Sequence, residues 1–398
     1  MIIGRYIAKG INLIFRRTNL KKLNIYKTKL ITTILSFCCI CSIVFNMMPV
    51  ITTSGAATNS RVPADIIEKL GIGWNLGNSL DCVNKKLGYT KDTEEIWGNK
   101  KATSKLFKAV KKAGFSSVRI PVTYYNHIDS KKKIDPEWLK RVSEVVDYAI
   151  NENLYVVIDV HHDAGMDKQY SWIFADTDTY AQSSTDLTTL WAQIAEYFKN
   201  YDEHLIFQAT NEIINVDGNW DWGQSYKDFR VVHDLDQHFI NVVRGSGGNN
   251  ATRYLMLTTW GASVDSCEIE SLFYKPFEDA VKGRLIMSVH NYATKQDGIN
   301  AVVASLSNYS KKYNIPVVID ESGTFDREDM NVRIAALSHW VYITRKEHMG
   351  YFWWDNGSDS ALFSRVDYHV IHEDLIRAIK AGYAKKYRQG VYFNPFFR

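Results

Sequence analysis

The chain has 398 residues, of which 45% are hydrophobic, and a formal net charge of +4, which is enough chain for one large domain with a real core. The charge is unevenly placed: the first 60 residues hold eight Lys or Arg and no acid, so the remainder sets 40 basic residues against 44 acidic ones, a balance near −4. That excludes a basic field for nucleic acid, and five cysteines, three of them within Cys38 to Cys41, give neither a disulfide framework nor a metal set.

The N-terminal segment comes first in chain order. Lys29 is the last charge before Arg61, and between them runs an uncharged apolar stretch, Leu30 to Ile51, followed by the small residues Ser54, Gly55, Ala56 and Ala57. Basic, then apolar, then small is the order of a secretory signal, here residues 1–57 with cleavage after Ala56 or Ala57. An uncleaved membrane anchor is the alternative, since a run of about 22 residues can span a bilayer. Residues 61–398 read as one secreted, extracellular module without linker, repeat or low-complexity tail. Its two cysteines, Cys82 and Cys267, can pair only if their loops meet.

From residue 71 onward, β-prone runs begin near Gly71, Ser117, Leu154, Leu205, Tyr254, Leu285, Pro316 and Gly350, with helical patterns between them. Eight runs spaced 31 to 51 residues apart fit strand, loop and crossover helix, which predicts an α/β chain folded as a single (β/α)₈ TIM barrel. Asp135 and Pro136 read as helix N-cap and first turn, with Leu139, Val142, Val145, Val146 and Ala149 on one face. Leu187, Leu190, Trp191, Ile194 and Phe198 repeat that period, as do Phe229, Val232, Leu235, Phe239, Ile240 and Val243. Gly114 closes the helix before the second strand. An open doubly wound sheet is the runner-up, but GIGWNLGNS at Gly71 is not its phosphate-binding glycine turn.

Parallel barrel strands deliver chemistry at their C-terminal ends. The run Leu205 to Ile213 stops on Asn211 and Glu212, and Ile315 to Glu321 stops on a second carboxylate, 109 positions later. In a closed barrel both ends open into one mouth, and paired carboxylates in a cleft are the equipment for glycosidic bond cleavage. Other strand ends offer Asn75, Arg119, His161, His162, His290, Tyr292 and Trp354. Taken singly, each has a plain reading: a buried histidine is usually core, and Trp353 and Trp354 can plug a barrel. An inward Arg119 is costly unless paired, and the second glutamate is a partner that would keep it ionised. Asn211 can hydrogen-bond a sugar 2-hydroxyl, and an aromatic at the mouth suits an apolar sugar face.

At this point the chain resembles the family-five glycoside hydrolases, in particular their cellulase-like endoglucanases. The resemblance runs from about Asp65 to the C-terminus, through GIGWNLGNSLD at Gly71, EIWGN at Glu95, VRIPVTYY at Val118, VIDVHHD at Val157, FQATNE at Phe207, SVHNY at Ser288, VVIDESG at Val317 and FWWDNG at Phe352. It implies Glu212 as acid/base and Glu321 as nucleophile, surrounded by Arg119, His161, Asn211, His290, Tyr292 and Trp354, with His162 and Asn75 touching sugar or positioning that shell. It further implies retaining hydrolysis of internal β-1,4 bonds of a β-glucan by a monomer without metal or organic cofactor. The proton-donor role calls for a raised Glu212 pKa, supplied in part by the charge of Glu321. Two positions depart from the family pattern: Ile213 stands where proline is usual, and Ser322 follows the nucleophile. A β-mannanase, or a xyloglucan- or mixed-linkage-specific enzyme, is the nearest alternative, to be decided by loops around Trp97, Trp172, Trp220 and Trp222. A non-catalytic carbohydrate-binding barrel is the remote one.

Overall fold

The computed structural model describes residues 64–89, 92–165, 169–217 and 226–385, so the N-terminal leader, Trp220 and Trp222 lie outside the described residues. All described elements belong to one unit, Ser60–Arg398. The strands are β1 (Ile72–Asn75), β2 (Ser117–Ile120), β3 (Tyr155–Asp159), β4 (Leu205–Gln208), β5 (Leu255–Thr258), β6 (Leu285–His290), β7 (Val317–Ser322) and β8 (Gly350–Trp353). Each starts within one residue of the run that predicts it. They close in sequence order into an eight-stranded barrel, β8 pairing parallel with β1.

Helix α1 (Ala64–Leu70) precedes β1, and α2 (Ser104–Ala113), α3 (Pro136–Ile150), α4 (Tyr180–Phe198), α5 (Tyr226–Gly245), α6 (Ser266–Leu272), α7 (Gln296–Tyr313) and α8 (Met330–Lys346) join successive strands before α9 (Glu373–Ala384) ends the described chain. The predicted caps are present. Asp135 accepts the Glu137 amide at 3.0 Å with Pro136 at the first helical position, and Gly114 closes α2 at φ 107°. The predicted apolar faces of α3, α4 and α5 are buried against the outside of the barrel. No helix among the described residues is long and apolar enough to cross a membrane. Cys82 and Cys267 are both free thiols, so the conditional pairing is not made.

Strand alternation sorts the residues. Outward positions such as Trp74, Val118, Val156, Ile158, Phe207, Met287 and Ile319 join the helices in the main core. Inward positions at the lower end form a separate apolar cluster, Val157, Ile206, Met256, Ile286, Val318 and Phe352, closed beneath by Ile66, Ile67 and Leu70 of α1. Gly73 belongs to this layer by necessity, because a Cβ there would stand 2.1 Å from the Phe352 ring. One inward step up each strand, the layer turns polar with Asn75, Arg119, Asp159, Gln208, Thr258, Ser288 and Asp320, all without solvent exposure.

Candidate active site

Arg119 is the hub of the polar layer. Its Nη1 donates to Glu321 Oε1 at 2.6 Å and to Asn75 Oδ1 at 3.1 Å. Its Nη2 donates to Asp159 Oδ2 at 2.7 Å and Asn211 Oδ1 at 2.8 Å. Its Nε donates to Gln208 Oε1 at 2.7 Å and lies 3.3 Å from Asp320 Oδ2. Burial works against the guanidinium charge, but Asp159, Asp320 and Glu321 more than offset it and hold Arg119 protonated. The expectation that Arg119 pairs with Glu321 is met. Asn75 and Arg119 are without solvent exposure, and both bond the groups above them. Asn75 is itself fixed, donating to the carbonyls of Asp320 and Trp353 at 2.8 and 3.1 Å.

Above this layer stand Glu212, Glu321, His290 and Tyr292. Glu212 Oε1 is 2.8 Å from His290 Nδ1, and Glu321 Oε2 receives the Tyr292 hydroxyl at 3.0 Å and lies 3.5 Å from the same imidazole nitrogen. One oxygen of each glutamate and a ring nitrogen of His290 all fall within 4.8 Å of one another. Burial opposes ionisation of Glu212, yet the hydrogen bond and charge of His290, with His161 and Arg119 behind, hold its carboxyl below the usual range. The raised Glu212 pKa is therefore not found in the free protein. Burial likewise opposes the charge on His290, but Glu321, Asp320 and Glu212 together push it up to about 9. Burial and the Glu321 charge raise the Tyr292 hydroxyl and keep it a neutral donor.

The third strand supplies the flank. His161 donates from Nδ1 to Asp159 Oδ2 at 2.7 Å, and the Asp159 charge raises its pKa against the effect of burial. Its ring lies parallel to Trp354, centroids 6.0 Å apart. His162 is half-buried, with Nε2 3.7 Å from Asp81 Oδ2, and meets Trp97 edge-on at 5.3 Å with Tyr170 at 5.9 Å. Ring contacts thus run from Trp354 through both histidines to Trp97, parallel at the first and edge-on at the other two. Trp172 is tied down by its indole N–H, which donates to Asp163 Oδ1 at 2.6 Å. Trp353 does act as filler, fully buried with its N–H on the Ser360 carbonyl at 2.9 Å.

Sequence reasoning missed Asp159, Gln208, Ser288, Asp320 and Asp81. Gln208 links the layer, donating to Ser288 Oγ at 2.8 Å and Asp320 Oδ2 at 2.7 Å, and Ser288 donates to Asp320 Oδ1 at 2.6 Å. The available signal was parity: Asp159, Gln208 and Ser288 each sit an even step below a site residue in the same β run. Asp81, Oδ1 held by the Ser79 amide at 2.7 Å, lies in a loop and carries no such signal. Of the two departures from the pattern, Ile213 is fully buried, its carbonyl accepting the Gly261 amide at 2.8 Å.

Asp81, His161 and His162 form a second group with one donor atom each within 4.8 Å. Each group sets a histidine nitrogen against a carboxylate oxygen, His290 against Glu212 at 2.8 Å and His162 against Asp81 at 3.7 Å. A cavity of about 420 Å³ lined by Ile67, Ile72, Met349 and Tyr383 opens at the opposite end of the barrel, away from every one of these groups.

A closed parallel barrel whose mouth holds two close carboxylates beside a run of aromatic rings, over a buried charge layer, fits a glycoside hydrolase. The chain belongs to the cellulase family, glycosyl hydrolase family 5, whose family model matches residues 81–360. Endoglucanase A of Clostridium longisporum is 32% identical over 360 residues, covering 82% of this chain and 67% of that protein. A solved GH5-4 broad-specificity endoglucanase from the same organism superposes with a TM-score of 0.74 at 30% identity, covering 80% of this chain and 97% of that one. A xyloglucan-specific endo-β-1,4-glucanase from a metagenomic library, solved with cellotriose, matches at 0.72 and 30%, covering 79% and 97%.

Proposed function

We propose that the protein is a secreted, retaining endo-β-1,4-glucanase that cleaves internal bonds of a β-glucan by double displacement. The observation that carries the reading is that one oxygen of Glu212 and one oxygen of Glu321 lie within 4.8 Å of each other. Retaining glycosidases place their carboxyl groups about 5 to 5.5 Å apart, whereas inverting ones need about 6.5 to 9.5 Å to admit a water. Glu321, ionised against Arg119 and oriented by Tyr292, attacks the anomeric carbon while Glu212 protonates the leaving oxygen. Glu212 then takes a proton from the water that releases the sugar from Glu321. Asn211, its oxygen engaged by Arg119, turns its NH₂ to the sugar 2-hydroxyl. Trp354 and the histidines beside it carry the sugar faces, and His162 touches sugar hydroxyls.

Xyloglucan is the second reading, favoured by the xyloglucan-specific relative that is 30% identical. The broad-specificity relative is equally similar at 30%, which is why linkage and chain type need a direct assay. Hydrolysis of cello-oligosaccharides followed by NMR is expected to release the β-anomer first, and an α-anomer appearing first overturns retention. A panel of soluble β-glucans, xyloglucan and mannans, with product lengths, assigns the substrate and the endo action. Export follows from the basic, apolar and small-residue order of residues 1–57. N-terminal sequencing of protein from the producing cells is expected to begin near residue 57 or 58, and intact Ile31 to Met48 in a membrane fraction would favour the anchor.

A further inference from the structure

His290 sits where one imidazole meets three carboxylates. Its Nδ1 is 2.8 Å from Glu212 Oε1 and 3.5 Å from Glu321 Oε2, and its Nε2 is 3.5 Å from Asp320 Oδ1. The side chain is 4% exposed, so water screens little of this charge. The charged and titratable groups around it are Glu212 beyond β4, Asp320 and Glu321 on β7, and, bonded to Glu321, Arg119 on β2 and Tyr292 beyond β6. A neutral imidazole there would leave Glu212, Glu321 and Asp320 with Arg119 as their nearest cation, already shared with Asp159.

We infer that His290 stores the catalytic proton: in the free enzyme it rests on His290 Nδ1 with Glu212 ionised, and it crosses to Glu212 only as the glycosidic bond breaks. This rests on the retaining reading above. The steps balance. The proton passes from Nδ1 to Glu212 Oε1 and from Glu212 to the leaving oxygen, the carbon–oxygen bond to the leaving sugar breaks, and the Glu321–carbon bond forms. His290 is then neutral, Glu212 is a carboxylate and Glu321 is an ester. Water next gives one proton to Glu212 while its oxygen displaces Glu321 from carbon, and the proton returns along the same hydrogen bond to His290.

Electrostatics favours this order. The three groups Glu212, His290 and Glu321 sum to one negative charge before glycosylation and to one negative charge after it, so the buried site never holds an added charge. Esterification also removes one of the carboxylates that hold the proton on the ring, which releases it when Glu212 must become a base. The raised His290 and lowered Glu212 are the two ends of this shared proton. His290 acts through Glu212 and is a positioning residue in this scheme, so its test is a pH profile.

The alkaline limb of kcat/KM reports loss of the proton the pair shares. In His290→Asn, Glu212 must hold its own proton, and the alkaline limb is expected to move toward acid by about two pH units. Uniformly lower activity with an unmoved alkaline limb overturns the inference. On an aryl cellobioside whose leaving group needs no protonation, His290→Asn is expected to keep a far larger share of wild-type glycosylation than on glucan. Equal losses on both substrates contradict the storage role. A readout free of folding effects is ¹⁵N NMR of histidine-labelled wild-type enzyme. Both His290 ring nitrogens are expected to carry protons at pH 7, and a neutral ring there refutes the inference. Glu212→Ala and Glu321→Ala on the same substrates report separately on the parent reading. If they lose activity while the alkaline limb stays put in His290→Asn, only the proton store fails.

Discussion

Asp320 and Glu321 are consecutive in β7, yet both reach one guanidinium, Asp320 at 3.3 Å from Arg119 Nε and Glu321 at 2.6 Å from Nη1. Strict alternation would send one of them outward. The pairing register shifts between Ile319 and Ser322 against β8, and between Val289 and His290 against β7, and such irregularities re-aim side chains. The irregularity therefore brings two carboxylates of the site, Asp320 and Glu321, from one dipeptide.

That convergence makes Arg119 hard to replace. Arg119→Ala leaves Asp159, Asp320 and Glu321 buried without their shared cation, and a loss of about 3 to 5 kcal/mol of stability is expected, read by urea unfolding. Arg119→Lys restores a charge but not the fork that makes five hydrogen bonds, so activity is expected to remain low while part of the stability returns. A lysine variant with wild-type kcat would show that the fork has no role.

The two glutamates separate by what each leaves possible. Glu321→Ala should abolish hydrolysis of any natural glucan. Glu212→Ala should still be glycosylated by an activated aryl β-glycoside, and azide, replacing the missing base step, should yield a β-glycosyl azide. The Glu321 variant with azide should yield only the α-azide, by a single attack. A β-azide from the Glu321 variant means the roles are exchanged.

His127 carries a pH dependence of stability outside the mouth. Its ring is 4% exposed and stacks on Trp138 at 3.6 Å. Burial pushes it down to about 3, against the weaker pull of Asp135 and Asp92. With the folded value depressed, the unfolded chain binds the proton first, so stability is present above about pH 6.5 and is lost as pH falls toward 3. Each pH unit in that window costs up to about 1.4 kcal/mol. Denaturant unfolding of wild type and His127→Gln at pH 7 and pH 4.5 should show the wild-type advantage shrinking at the lower pH, and a constant difference would contradict it.

Gly73 should tolerate no side chain while Phe352 is present, because a Cβ would meet the ring at 2.1 Å. Gly73→Ala is expected to cost about 1 to 3 kcal/mol by overpacking. Phe352→Leu in the same chain should return part of it, and simple additivity in the double-mutant cycle would mean that the two residues do not compete for space.

Legible in the sequence alone were the eight strands, their helices and the two glutamates, because parallel strands write themselves as apolar runs and their chemistry as polar residues at the run ends. Arg119 could be placed with Glu321 because a charge within an apolar strand demands a partner. Closing the barrel decided the rest. Asp159, Gln208, Ser288 and Asp320 became one hydrogen-bonded layer because alternation brings them to a single height around the axis, a coincidence that no one strand records. The state of Glu212 was likewise decided in three dimensions. Sequence separation hides that His290, 78 residues away, stands 2.8 Å from it, and so places an imidazole against the carboxyl that the charge of Glu321 was expected, in part, to raise.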